Sequence, residues 1–159
     1  DVTVRCPGPI GRALGEDQLE GSVRFDANGK PADDTRLRKT SCAELDALAE
    51  GRRSKELSCT ERAGILCGRH GRELAMAVDV LTHEAWHLRG VQDEARTECN
   101  SLQTMAGTAL ALGATPAQAA ALARGQLAEG YPSMPDQYRS AHCADGGAFD
   151  LRPDEERWP

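Results

Sequence analysis

His83-Glu84-Ala85-Trp86-His87, within "LTHEAWHLRGVQDEARTEC", sets two imidazoles four residues apart with a carboxylate beside the first. On an α-helix four residues advance by about 400°, so the two rings stand about 40° apart on one face. They can then share a divalent ion, because a zinc–nitrogen bond of about 2.0–2.1 Å makes both nitrogens meet near one point. Glu84 falls about 60° from His87, on the flank of that face. A carboxylate there can hydrogen-bond a metal-held water without ligating the metal, as H-E-x-x-H chemistry requires. The bland alternative is a surface helix with two solvated histidines. Leu81, Trp86 and Leu88 argue instead for a largely buried helix, where histidines need polar partners or a metal. Zinc is the expected cofactor, with Glu84 catalytic and His83 and His87 as ligands.

A catalytic zinc takes three protein ligands and leaves one position open. Asp93, Glu94 and Glu98 are the candidates for the third. If the helix ran straight on, Glu94 would stand about 10 Å beyond His87 along the axis, too far to share an ion. The chain must therefore turn back, and Gly90 supplies the left-handed residue for it. On the next helix Ala95, Cys99, Leu102 and Met105 form the apolar stripe. Glu94 and Glu98 border that stripe, whereas Asp93 points further out, which favours Glu94 as ligand over Asp93 and Glu98. Glu98, one turn on, suits the second nitrogen of a ligating histidine.

These residues resemble two groups of zinc metallopeptidase, the zincins. In the thermolysin-like gluzincins a glutamate followed by alanine is the third ligand, and an acidic residue four further on orients a histidine. "DEARTE" looks like this, with Glu94, Ala95 and Glu98, although the six residues between His87 and Glu94 are fewer than most gluzincins have. "HLRGVQD" resembles the metzincin pattern, the runner-up, with Asp93 as ligand and Met134 in "YPSMPD" at the methionine turn. The resemblance implies hydrolysis of peptide bonds in a peptide or protein substrate by a metal-activated water, with Glu84 as general base. An oxyanion stabiliser is also needed. Tyr138 and His142, four apart, are candidates, with ordinary packing as the plainer account of both. His70 in "CGRHGRE" reads as a loop residue. The alternative to a peptidase is a non-catalytic zinc-binding, disulfide-stabilised secreted module. A stapled binding domain with a chance motif is a third reading.

The chain has 159 residues and a net charge of −6, which suits one domain and argues against a nucleic-acid partner, since no basic patch dominates. No apolar run is long enough for a membrane span, and a monomer is expected. The first residues, "DVTVRCPGPI", carry no leader, as a trimmed mature form or a non-exported protein would. The six cysteines, Cys6, Cys42, Cys59, Cys67, Cys99 and Cys143, form no CxxC pair. Their even number and scatter fit three disulfides and an extracytoplasmic, secreted or cell-surface location. The short spacing points to a Cys59–Cys67 bridge. Residue usage resembles that of bacterial chains.

The fold class expected is mainly α, a small zincin-like helical domain with an irregular N-terminal segment over 1–39, a helical core over 40–143 and a tail over 144–159. Short strands are possible at "DVTVRC" and "GSVRFD", around a solvated turn at "DANGKP" rather than a calcium loop. A first helix at "SCAELDALAEG" would be capped by a Ser41–Glu44 box and stopped by Gly51. "RAGILC" could be a strand. Leu74, Val78, Leu81 and Ala85 predict a helix from about 72 to 89. A third covers "DEARTECNSLQTMAGTALAL". A fourth runs from Thr115 and Pro116 to Gly130, and a short fifth lies in "MPDQYRSAHC".

Overall fold

The computed structural model describes residues 2–8, 20–155 and 158–159. Strands β1 (Thr3–Arg5), β2 (Gly21–Phe25) and β3 (Pro31–Leu37) precede the helices α1 (Lys39–Ala49), α2 (Ser54–Ala63), α3 (Gly68–Leu88), α4 (Glu94–Ala111) and α5 (Pro116–Gly125). The protein is mainly α-helical with one small sheet. Residues 9–19 of the irregular N-terminal segment lie outside the described residues.

The sheet has the order β1-β3-β2, with β1 parallel and β2 antiparallel to β3. The β2–β3 connection is the solvated turn that "DANGKP" predicts. The Asp26 carboxylate accepts from the N–H groups of Asn28 at 2.8 Å and Lys30 at 2.9 Å. β3 is a strand the sequence analysis does not foresee. Its polar "PADDTRL" carries little apolar alternation, but it is paired on both sides and buries Thr35 and Leu37.

α3 runs through the middle. Leu74, Ala75, Ala77 and Val78 are fully buried on it. They pack with Leu37 of β3, Leu45 and Leu48 of α1, Leu57 of α2, Leu102 and Met105 of α4 and Leu122 of α5. Few aromatics are available, so aliphatic side chains fill the centre. No helix of the described residues is long and apolar enough to cross a membrane.

Caps decide the ends. Thr115 and Gln118 form a reciprocal capping box at α5, with Pro116 in its first turn, each satisfying a backbone donor the helix leaves over. α3 ends in a Schellman reversal: Gly90 at φ +93° donates to the His87 carbonyl at 2.8 Å and Val91 to the Trp86 carbonyl at 3.2 Å. Only glycine enters that conformation without a Cβ clash.

Several expected boundaries are corrected. α1 begins at Lys39, because β3 leads almost directly into it, so Ser41 lies buried inside the first turn and caps nothing. Glu44 instead accepts two N–H groups of the Arg53 guanidinium, one on each carboxylate oxygen, at 2.5 and 2.8 Å. "RAGILC" is not a strand: α2 ends at Ala63, Gly64 follows at φ +68°, and the loop is closed by the Cys59–Cys67 bridge. α3 starts at Gly68, so His70 is a helix residue rather than a loop residue. The stretch "MPDQYRSAHC" forms only the short turn Asp136–Tyr138, since the Tyr131 hydroxyl takes the Ser140 N–H at 2.9 Å and bends the chain.

All six cysteines are paired. Cys6–Cys42 ties the end of β1 to α1, Cys59–Cys67 closes the α2–α3 loop, and Cys99–Cys143 ties α4 to the C-terminal segment. Disulfide formation in an oxidising compartment is compatible with this set.

Leu74→Ala removes a side chain with no exposed surface from the middle of the core. It is expected to lower the unfolding free energy by about 2–5 kcal/mol, with disulfides intact, as read by urea denaturation.

Candidate metal centre

The Schellman turn after α3 brings the first residue of α4 back over the last turns of α3. The Nε2 atoms of His83 and His87 are 3.0 Å apart. Glu94 Oε2 lies 3.1 Å from the first and 3.3 Å from the second. Both histidines are buried, and Glu94 is half-exposed.

The outer nitrogens reveal the protonation. His87 Nδ1 is 2.7 Å from the Val91 carbonyl. A carbonyl only accepts, so Nδ1 carries the hydrogen and Nε2 of the neutral ring keeps its lone pair. His83 Nδ1 is 2.9 Å from Glu98 Oε2, and donation to that carboxylate leaves the His83 Nε2 lone pair inward too. With both rings neutral, two imidazole lone pairs and a carboxylate oxygen face one another. Electron pairs packed that closely repel unless a proton or a cation sits among them. His83, His87 and Glu94 can hold a metal ion.

Glu84 stands beside this triangle. It is buried, and its Oε2 has no hydrogen-bond partner. Burial pushes its carboxyl up to about 7, with His83, when it is protonated, pulling down and the Glu94 charge pushing up. Room for it comes from Gly21 of β2: a Cβ there would lie 2.4 Å from Glu84 Oε1. Phe25, at the other end of β2, sets its ring edge against His87 at 5.9 Å between centroids.

A cavity of about 330 Å³ opens beside His83 and Glu84. Met76, Val80, Met134, Pro135 and Tyr138 give it an apolar wall, Glu20, Asp79 and Glu98 also line it, and no lysine or arginine of the described residues does. The Tyr138 ring is 5.8 Å from that of His83. His142 is not with it. Without a helix across this segment, the four-residue spacing no longer sets the two side chains on one face, and the exposed His142 sets its ring edge-on to Phe149 at 5.5 Å between centroids. Asp93 is likewise engaged elsewhere, its carboxylate capping α4 through the Arg96 N–H at 2.7 Å. Met134 reaches the cavity wall even so.

Glu44, His70 and Glu73 form a second cluster of the described residues that could hold a metal. The Arg53 guanidinium already occupies the Glu44 carboxylate there, so this group reads as an ion-pair network.

Sequence reasoning misses Gly21, Phe25 and the Val91 carbonyl. The first two reach the centre only through sheet-on-helix packing, which leaves no local pattern. The Val91 carbonyl was legible in principle, since a Schellman turn at Gly90 aims it back at the last turn of α3. No family model matches the chain, and neither a curated protein nor a solved structure does.

Glu84 and Glu98 both titrate near 7 in the fold, chiefly through burial, against an ordinary value of 4.5. Between 4.5 and about 7 the native state holds protons that the unfolded chain has released. The share of the metal-free protein's stability that rests on these two groups is therefore fully present below 4.5 and is lost as pH rises through that window, by up to about 1.4 kcal/mol per pH unit per group. Glu84→Gln is expected to flatten this slope by about one group's share in denaturation curves recorded from pH 4 to 8.

Proposed function

We propose that this protein is a zinc-dependent peptidase, a zincin in chemistry, acting on peptide or protein substrates outside the cytoplasm. The observation that carries the reading is the donor triangle with sides of 3.0, 3.1 and 3.3 Å. A tetrahedral ion with bonds of about 2.0–2.1 Å has ligand–ligand edges of ~3.3 Å. Two imidazoles and one carboxylate suit zinc, whereas calcium and magnesium prefer all-oxygen sets. Held there, zinc would lower the pKa of a coordinated water towards 7 and polarise a substrate carbonyl.

The remaining work belongs to the chain. Glu84 Oε2, buried and without a partner, takes the proton of the attacking water and returns it to the departing amine. Its carboxyl near 7 suits both transfers. Glu98 and the Val91 carbonyl hold the two rings in their ligating tautomer. Tyr138 offers a phenol at the cavity wall for the developing oxyanion. The apolar wall of Met76, Val80, Met134 and Pro135 favours a substrate with an uncharged, apolar side chain next to the scissile bond. Three disulfides support an extracytoplasmic setting.

A non-catalytic zinc module has no use for the unpartnered Glu84 carboxylate or for a cavity beside it. Metal analysis and casein hydrolysis separate the two readings. The intact chain is expected to bind one zinc and to cleave casein until a chelator is added. His83→Ala and Glu94→Ala should lose the metal, and Asp93→Asn should keep it. Glu84→Gln should bind zinc normally and lose hydrolysis by about 10²–10⁴-fold, the usual range for a proton-transfer group. Zinc with no chelator-sensitive cleavage would leave the binding module; no zinc in any preparation would end the metal reading.

A further inference from the structure

Asp79 is a deeply buried carboxyl residue that the proposed mechanism does not use, 1% exposed. It sits on α3, one turn before His83. A carboxyl so deep in a core is costly unless hydrogen bonds or neutralisation compensate. The chain devotes several residues to it. The Ser101 hydroxyl of α4 donates to Oδ1 at 2.6 Å. The Gln126 amide donates to Oδ2 at 2.8 Å. Gln126 is itself 1% exposed and opens the π-helical turn Gln126–Gly130. Such turns are rare and occur often at functional sites. Gly130 leaves room for that amide, since a Cβ there would lie 2.4 Å from Gln126 Oε1.

Ser101 of α4 meets Asp79 one helical turn along from where Glu98 of α4 meets His83, and both carboxyls line the same cavity, so Asp79 stands beside Glu98 and within hydrogen-bonding reach of it. Glu98 is the residue that holds His83, through Oε2. Its other oxygen, Oε1, is buried and has no hydrogen-bond donor. Two adjacent buried carboxyls resist ionising together. One proton between them supplies the donor that Oε1 lacks.

We propose that Asp79 is a positioning residue for the centre: its carboxyl O–H donates to Glu98, locks that side chain, and thereby fixes the ring and tautomer of His83. Burial first, then the Glu98 charge, hold the Asp79 carboxyl well above its ordinary range, in keeping with a proton resident there. The Ser101 and Gln126 bonds fix the carboxyl while its proton points to Glu98. The effect on metal affinity rests on the zinc reading; the effect on the His83 ring does not.

The test compares Asp79→Asn, which keeps an N–H donor, with Asp79→Leu, which keeps the shape and loses it. In the full, disulfide-intact, metal-free chain, imidazole nitrogen NMR follows the His83 Nδ1–H proton. Slow exchange is expected in the parent and in Asp79→Asn, and exchange faster by tenfold or more in Asp79→Leu. Zinc affinity, from chelator competition, should stay within about threefold in Asp79→Asn and fall by about 10–100-fold in Asp79→Leu, the usual cost of losing an outer partner. If Asp79→Leu does not fold, Asp79→Ser, too short to reach Glu98, is read in the same way. A loss of thermal stability with an unchanged His83 proton would overturn the proposal, because packing alone would then account for Asp79. So would an equal loss in Asp79→Asn and Asp79→Leu. If the parent binds no zinc while the His83 proton still responds, the peptidase reading falls and the positioning role stands.

Discussion

The rest of the structure depends on three electron-pair donors being forced together. His83 and His87 each spend their outer nitrogen on a fixed acceptor, Glu98 for one and the Val91 carbonyl for the other. Their inner nitrogens then have only lone pairs to offer, at 3.0 Å from each other and close to the Glu94 carboxylate. Such an arrangement is repulsive when empty and attractive around a cation. An outer acceptor sets the tautomer of an imidazole as surely as the ligand does.

Much of the fold can be read as support for that triangle. α3 is central and carries both histidines, Glu84 and Asp79 on faces set by helical pitch. The reversal at Gly90 converts a span along the helix axis into a short return, so Glu94 meets rings it follows closely in sequence. The sheet contributes less by what β2 carries than by what it omits: Gly21 has no side chain where Glu84 needs space. The Cys99–Cys143 bridge anchors the segment that carries Met134, Pro135 and Tyr138 to α4, one residue after Glu98. Stability and site geometry thus share the same parts, as expected of a small chain with few aromatics and a modest core.

Carboxyl groups are the second theme. Glu84, Glu98 and Asp79 are all buried close to the histidines, and burial raises the proton affinity of each. Their environments separate their roles. Glu84 lacks a partner and faces the cavity, which suits proton transfer to substrate. Glu98 faces a histidine, which suits orientation. Asp79 touches the cavity wall but is held by Ser101 and Gln126, which suits a fixed positioning role. Acid and base roles commonly arise where neighbouring titratable groups are pushed apart in this way.

What the sequence alone determined was everything that follows from spacing within one helix or one turn. The four-residue interval put both imidazoles on one face, and Gly90 marked the reversal. Thr115 with Pro116 announced the cap of α5, and the even cysteine set announced disulfides, including the short Cys59–Cys67 loop. These are local because backbone geometry repeats every few residues. Tertiary structure decided what couples distant residues. It made β3 a strand despite its polar sequence, gave Glu44 to Arg53 instead of a cap, and put His70 on a helix. It also kept Tyr138 beside His83 while sending His142 to Phe149, and buried Asp79 against Ser101 and Gln126. Long-range packing chooses among such partners by space and hydrogen-bond supply, and neither quantity is written in the interval between two residues.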